Sequence, residues 1–224
     1  MTLISAIAAL YVFCLDSIMK KHKQITQKRQ ERDNQIIEQT MKTFSNFIDN
    51  KDTYTQGHST RVAAYVREMA KRMGLDEAEQ LTMYYAGLMH DIGKLTVSDE
   101  ILNKTSKLSS DEWTLIQQHT TNGAALLKNF TILPEINDAV LYHHERFDGT
   151  GYMNRLSGKD IPLVARMVGI ADAFDAMNTN HCYRLKFSEE RIISELERCR
   201  GKQFDPDLVP YLISMIKDGT IYKL

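Results

Sequence analysis

Five histidines, His58, His90, His119, His143 and His144, stand at the expected ends of helices or beside another potential ligand, and Asp91 and Asp172 add two carboxylates. Asp172 lies in an apolar helical stretch, Gly169-Ile170-Ala171-Asp172-Ala173-Phe174. A carboxylate is costly to bury there unless a positive partner meets it, and a metal ion would be such a partner. One divalent ion can take His58, His90, Asp91 and Asp172. A second can take His119, His143 and His144, with Asp91 bridging the two. Imidazole-rich sites with few carboxylates suit iron or manganese, then nickel and zinc, over magnesium or calcium. Two such ions about 3.5–4 Å apart lower the pKa of a bridging water and clamp a phosphoryl group during in-line attack. Spacing alone leaves the alternative open. A lone helical histidine is usually structural, and adjacent histidines point about 100° apart on an ideal helix.

The elements that must position these residues read as helices. Val62–Met73 ends at Gly74 as a C-cap, and Asp76–Met89 puts Leu81, Tyr84, Tyr85 and Leu88 on one face. Ser110 is read as the cap of a helix over Asp111–Lys128. Pro134 opens a helix to Glu145, and Pro162 opens one to Met177. Ser188 starts a helix that Gly201 ends, and Asp205-Pro206 starts the last, to about Lys217. Phe147–Asp160 is a glycine-bearing loop. No alternating run reads as a strand, and there is no internal repeat or low-complexity segment. The fold class expected is all-α, a helical bundle with an N-terminal helical extension.

Composition agrees with a soluble globular chain: 224 residues, 43% hydrophobic, 25% charged, net charge −1. That balance gives no footprint for DNA or RNA. Three scattered cysteines, Cys14, Cys182 and Cys199, point to a reducing compartment.

The N-terminus has its own pattern. Thr2–Leu15 carries no charge, and six basic residues follow between Lys20 and Arg32 against Glu31 alone. Residues 1–19 are expected to be a short membrane segment with the downstream chain cytoplasmic. A run this short equally fits a helix packed on the domain or a partner. Residues 20–46 read as a linker helix, with Ile37, Met41, Phe44 and Ile48 on one stripe. Pairing of two chains through this helix is a further expectation.

Several stretches carry a resemblance. Leu88-Met89-His90-Asp91-Ile92-Gly93-Lys94 resembles the HD motif of the HD superfamily of metal-dependent phosphohydrolases. Asp52–Ser59, His143–Tyr152, Asp172–Met177 and Gln203–Pro206 follow in the order of the HD-GYP family. The resemblance implies an HD-domain all-α bundle over residues 47–224 with a bi- or trinuclear metal centre. It implies hydrolysis of cyclic di-GMP to pGpG, and in some members to GMP, by a metal-bridging hydroxide. His58, His90, Asp91, His119, His143, His144 and Asp172 match the binuclear ligands, with Asp91 also catalytic. Lys94 matches a catalytic, phosphate-contacting lysine. A third metal would need Glu where this chain has Tyr54. Arg146 and Asp148 are expected to brace their loop, and Asp175 to support a ligand.

The departures from the family lie away from the ligands. The GYP triplet reads Gly151-Tyr152-Met153, and prolines are replaced at Ser98, Thr105 and Thr120. His181 stands where the family has a phosphate-gripping arginine, and histidine lacks the bidentate fork. Arg184 is left to hold phosphate beside it. The expected function is therefore a cytoplasm-facing cyclic di-GMP phosphodiesterase. The rivals are a phosphohydrolase acting on another nucleotide and a catalytically weak binding or signalling module.

Overall fold

A computed structural model describes residues 3–52, 56–180 and 185–224, with side chains described from residue 10 onward. The chain divides into two compact units, Met1–Thr40 and Met41–Leu224. The first is helical from Leu3, as the start of α1 (Leu3–Lys51). Local pairs one turn apart support it: Lys20 with Asp16, Gln27 with Glu31 and Gln30 with Asn34. Its apolar side chains Leu10, Phe13, Ile18 and Met19 are exposed. Among the described residues no helix is long and apolar enough to cross a membrane. The expected segment 1–19 falls partly outside them, because side chains 1–9 are not described.

The second unit is a bundle. It contains the end of α1, then α2 (His58–Arg72), α3 (Glu77–Met89), α4 (Asp99–Leu102), α5 (Ser110–Gln117) and α6 (His119–Leu126). After these come α7 (Pro134–Tyr142), α8 (Leu163–Asn178), α9 (Glu189–Arg198) and α10 (Val209–Lys217). Among the described residues there is no strand, only an isolated bridge between Arg200 and Phe204. The core runs between α2, α3, α7 and α8, with Met69, Leu88, Ile136, Met167, Ile170 and Phe174 fully buried. Tyr65 and Phe174 meet edge-on, with ring centroids 5.2 Å apart.

Local chemistry sets the boundaries. Asp76 with Glu79 and Ser109 with Glu112 form reciprocal capping boxes at the starts of α3 and α5. Gly74, at φ 83°, ends α2 as expected. Four expectations are corrected. Helix α2 begins at His58, ahead of the expected Val62. The helix read over Asp111–Lys128 is two helices, broken at Gln118, and Ser109 rather than Ser110 is its cap. The helix from Pro134 stops at Tyr142, not Glu145. The last helix begins at Val209 rather than at Asp205-Pro206.

Candidate metal centre

Six elements converge on the carboxylate of Asp91. His58 opens α2, His90 caps the C-terminus of α3, and Asp91 precedes a 3-10 turn over Ile92–Thr96. His119 opens α6, His143 caps α7 with His144 beyond it, and Asp172 stands within α8. Asp91 Oδ2 lies 3.4 Å from His90 Nε2 and 4.0 Å from His58 Nε2. Its Oδ1 lies 3.4 Å from His119 Nε2 and 3.9 Å from His143 Nε2. One carboxylate thus faces two groups of residues: His58, His90 and Asp172 on one side, and His119, His143 and His144 on the other.

The breaks in the helices create this convergence. His143 and His144 stand just past the end of α7 at Tyr142, and their ring centroids come to 4.1 Å. The His144 ring also stacks on Tyr152 at 4.9 Å. The break at Gln118 lets His119 start its own helix. Two glycines permit the close approaches. A Cβ on Gly93 would lie 1.7 Å from the His119 carbonyl oxygen, and one on Gly169 would lie 2.6 Å from the His143 carbonyl oxygen. The turn bearing Asp91 and the helix bearing Asp172 can therefore press onto the histidine-bearing backbone.

The Nδ1 partners fix the tautomers. A carbonyl oxygen only accepts, so His90 donates Nδ1–H to Gly87 (2.8 Å) and His119 to Ile116 (2.7 Å). His143 donates to Ala139 at 3.0 Å. With Nδ1 so occupied, Nε2 is the nitrogen that each ring turns inward. His119 Nε2 and His143 Nε2 face each other at 3.3 Å, and His90 Nε2 is buried without a hydrogen-bond partner. Inward lone pairs opposite a carboxylate repel unless a cation lies among them. These residues therefore fit divalent cations, and the backbone bonds are the outer anchors that metal-binding histidines require.

The electrostatics divide along the same line. Burial would lower the His58 pKa, but Asp172 and Asp175 outweigh it and hold it at about 10. Burial lowers His143 well below the usual histidine range, and it pushes His144 down to about 4. Burial would raise Asp91, yet Lys94 and His90 hold it well below the usual carboxylate range. Lys94 Nζ lies 2.8 Å from Asp91 Oδ2 and 3.2 Å from Asp52 Oδ2. Those two carboxylates outweigh burial and raise its pKa.

The structure thus brings together all seven expected ligands and Lys94. His181 and Arg184, the expected phosphate contacts, and Tyr54 lie outside the described residues. Arg146 and Asp148 share Thr150: Arg146 Nε donates to its Oγ1 at 2.9 Å, and that hydroxyl donates to Asp148 Oδ1 at 2.6 Å. Sequence reasoning missed Arg61, which forks onto Asp175, and gave Asp52 no role. Arg61 stands one helical turn after His58 and Asp175 one turn after Asp172, a signal readable in retrospect. A cleft of about 260 Å³ opens beside His144 and Asp172, lined by Trp113, Arg146, Tyr152 and Arg166 among others.

A profile of the HD domain family matches residues 42–208, a span that holds every one of these ligands. The chain belongs to the HD domain family. This HD domain is 36% identical over 172 residues to the 3′3′-cGAMP-specific phosphodiesterase 2 of Vibrio cholerae, covering 76% of this chain and 33% of that one. It is 34% identical over 172 residues to a cyclic di-GMP phosphodiesterase of Thermotoga maritima, covering 76% of this chain and 47% of the other. The chain thus spans between a third and a half of the length of these curated relatives. In fold, it resembles the crystal structure of a cyclic GMP-AMP specific phosphodiesterase of V. cholerae: TM-score 0.65, 19% identity, 82% of this chain and 49% of that one.

Proposed function

We propose that this HD domain is a metal-dependent cyclic-dinucleotide phosphodiesterase that cuts cyclic di-GMP to pGpG. The observation that carries the reading is the set of inward Nε2 lone pairs divided between the two oxygens of Asp91. His58, His90 and Asp172 would hold one divalent cation and His119, His143 and His144 a second, shared through Asp91. Iron or manganese suits this donor set. Such a pair of cations supplies Lewis acidity, making a water nucleophilic at neutral pH and drawing charge from phosphoryl oxygens. Asp91 holds the two groups in register. Lys94, fixed between Asp91 and Asp52, sets a positive charge at the edge of the centre where a phosphodiester is to be held. Trp113, Tyr152, Arg146 and Arg166 give the adjoining cleft aromatic faces and guanidinium groups, surfaces that suit nucleobases and phosphates.

A second substrate has support of its own, because the relatives include 3′3′-cGAMP-specific enzymes at comparable identity. Turnover of cyclic di-GMP, 3′3′-cGAMP and cyclic di-AMP by manganese- or iron-loaded protein, followed by chromatography, decides between them. Linear pGpG from cyclic di-GMP is the expected product. Preference for 3′3′-cGAMP would move the assignment, and no turnover of any of the three would overturn it. We also place the chain at the cytoplasmic face of a membrane, a reading supported by the exposed apolar side chains Leu10–Met19. Recovery of the intact chain in the soluble fraction without detergent would remove that assignment.

A further inference from the structure

The histidines of the centre are not anchored alike. His90, His119 and His143 each donate Nδ1–H to a backbone carbonyl three or four residues earlier. His58, the first residue of α2, is held by a side chain. Its Nδ1 instead meets Asp175 Oδ2 at 2.8 Å, across 117 residues of sequence. Asp175 stands one turn after Asp172 on α8, and Asp172 Oδ1 lies 3.3 Å from Nε2 of the same ring. Helix α8 therefore holds the His58 imidazole from both nitrogens.

Arg61, one turn after His58, closes the arrangement. Its Nε meets Asp175 Oδ1 at 2.7 Å and its Nη2 meets Oδ2 at 2.9 Å, a two-pronged pair. Its Nη1 donates to the Gln56 carbonyl at 2.9 Å, tying down the turn before His58. Asp175 is 1% exposed, so water does not weaken the pair.

We propose that Asp175, held by Arg61, is the positioning residue for His58, and that it sets the cation affinity of the His58–His90–Asp172 group separately from the His119–His143–His144 group. The proposal rests on the metal-centre reading above. A carboxylate on the far nitrogen fixes the ring's tautomer and orientation and strengthens its donor nitrogen; losing such a partner weakens metal binding by about 10–100-fold. His90, His119 and His143 take their orientation from backbone, which no side-chain substitution removes, and His144 stacks on Tyr152. This group of ligands therefore has an anchor that a single substitution can release.

The test titrates manganese(II) alone into the metal-free full chain, by calorimetry, for wild type, Asp175→Asn, Arg61→Gln, Arg61→Lys and His58→Ala. Thermal melting of each metal-free protein is recorded in parallel. Two binding phases are expected for wild type. Asp175→Asn should weaken one by about 10–100-fold, the same phase that His58→Ala abolishes, and leave the other unchanged. Arg61→Gln should move that same phase less, and Arg61→Lys should restore part of it. Should Asp175→Asn not fold, the two Arg61 variants carry the test alone. Two unchanged phases in Asp175→Asn and Arg61→Gln would overturn the proposal. So would equal weakening of both phases with a lowered melting temperature, the mark of a bridge that only ties α2 to α8. A wild type that binds no manganese would instead overturn the metal-centre reading beneath it.

Discussion

The two sides of the Asp91 carboxylate are built from different materials. On one side, His58 and His90 share their surroundings with Asp172 and Asp175, and Arg61 pairs with Asp175. On the other, His119, His143 and His144 meet no carboxylate within ion-pair distance except Asp91 among the described residues. The protonation tendencies follow: Asp172 and Asp175, outweighing burial, hold His58 at about 10, while burial brings His144 to about 4. The carboxylate side is held largely by side chains reaching between α2 and α8. The imidazole side is held mostly by backbone, through the Ile116 and Ala139 carbonyls and the Gly93 and Gly169 approaches, with His144 stacked on Tyr152. One side is thus set by which residues are present, the other by how the chain bends.

Asp91→Ala should erase the comparison, because both sides share that carboxylate. Both cations should be lost, with elemental analysis after reconstitution falling to near zero while circular dichroism stays helical. Gly93→Ala acts on the join. Its methyl group would collide with the His119 carbonyl and drive the Asp91 turn away from α6. Such overpacking costs about 1–3 kcal/mol, read as a lowered denaturation midpoint, and should weaken cation binding on both sides. His119→Ala should sharpen the contrast, reducing binding on the imidazole side while the side of His58 keeps its cation. Retention of both cations at full affinity would show that the two groups are not separate.

Legibility does not follow that division. The residue types of all seven ligands and the order of their motifs were readable on both sides, and so were most helices, from apolar stripes and from caps such as Ser188. The break at Gln118 was not readable, because no Gly or Pro marks it and the 3.6-residue pattern continues across it. The early end of α7 at Tyr142 left equally little trace, and what answers the angular objection is that His143 and His144 gather with His119 in one group. Arg61 escaped notice because an arginine on a helix surface is ordinary until α8 brings Asp175 to it.

The smallest expected effect lies outside both groups and serves as a control. Asp205, 2% exposed, would be raised by burial, but the Asp207 N–H, Lys159 and Arg166 outweigh it and hold its carboxyl below the usual carboxylate range. The folded state therefore binds fewer protons there than the unfolded chain. Its contribution to stability is present above the unfolded pKa of about 4 and is lost as pH falls through the lower folded value. Asp205→Asn should flatten that acid-side decline in melting temperature and leave cation stoichiometry unchanged. An unaltered decline would show that this carboxylate is not linked to folding.

Under the proposed function, Asp91 divides one buried centre between two cations. Elemental analysis of the full chain, purified without oxygen and reconstituted with iron or manganese, tests it most directly. About two ions per chain are expected, both removable by chelator with the helical signal retained. A count of zero in a fully folded chain would contradict the claim.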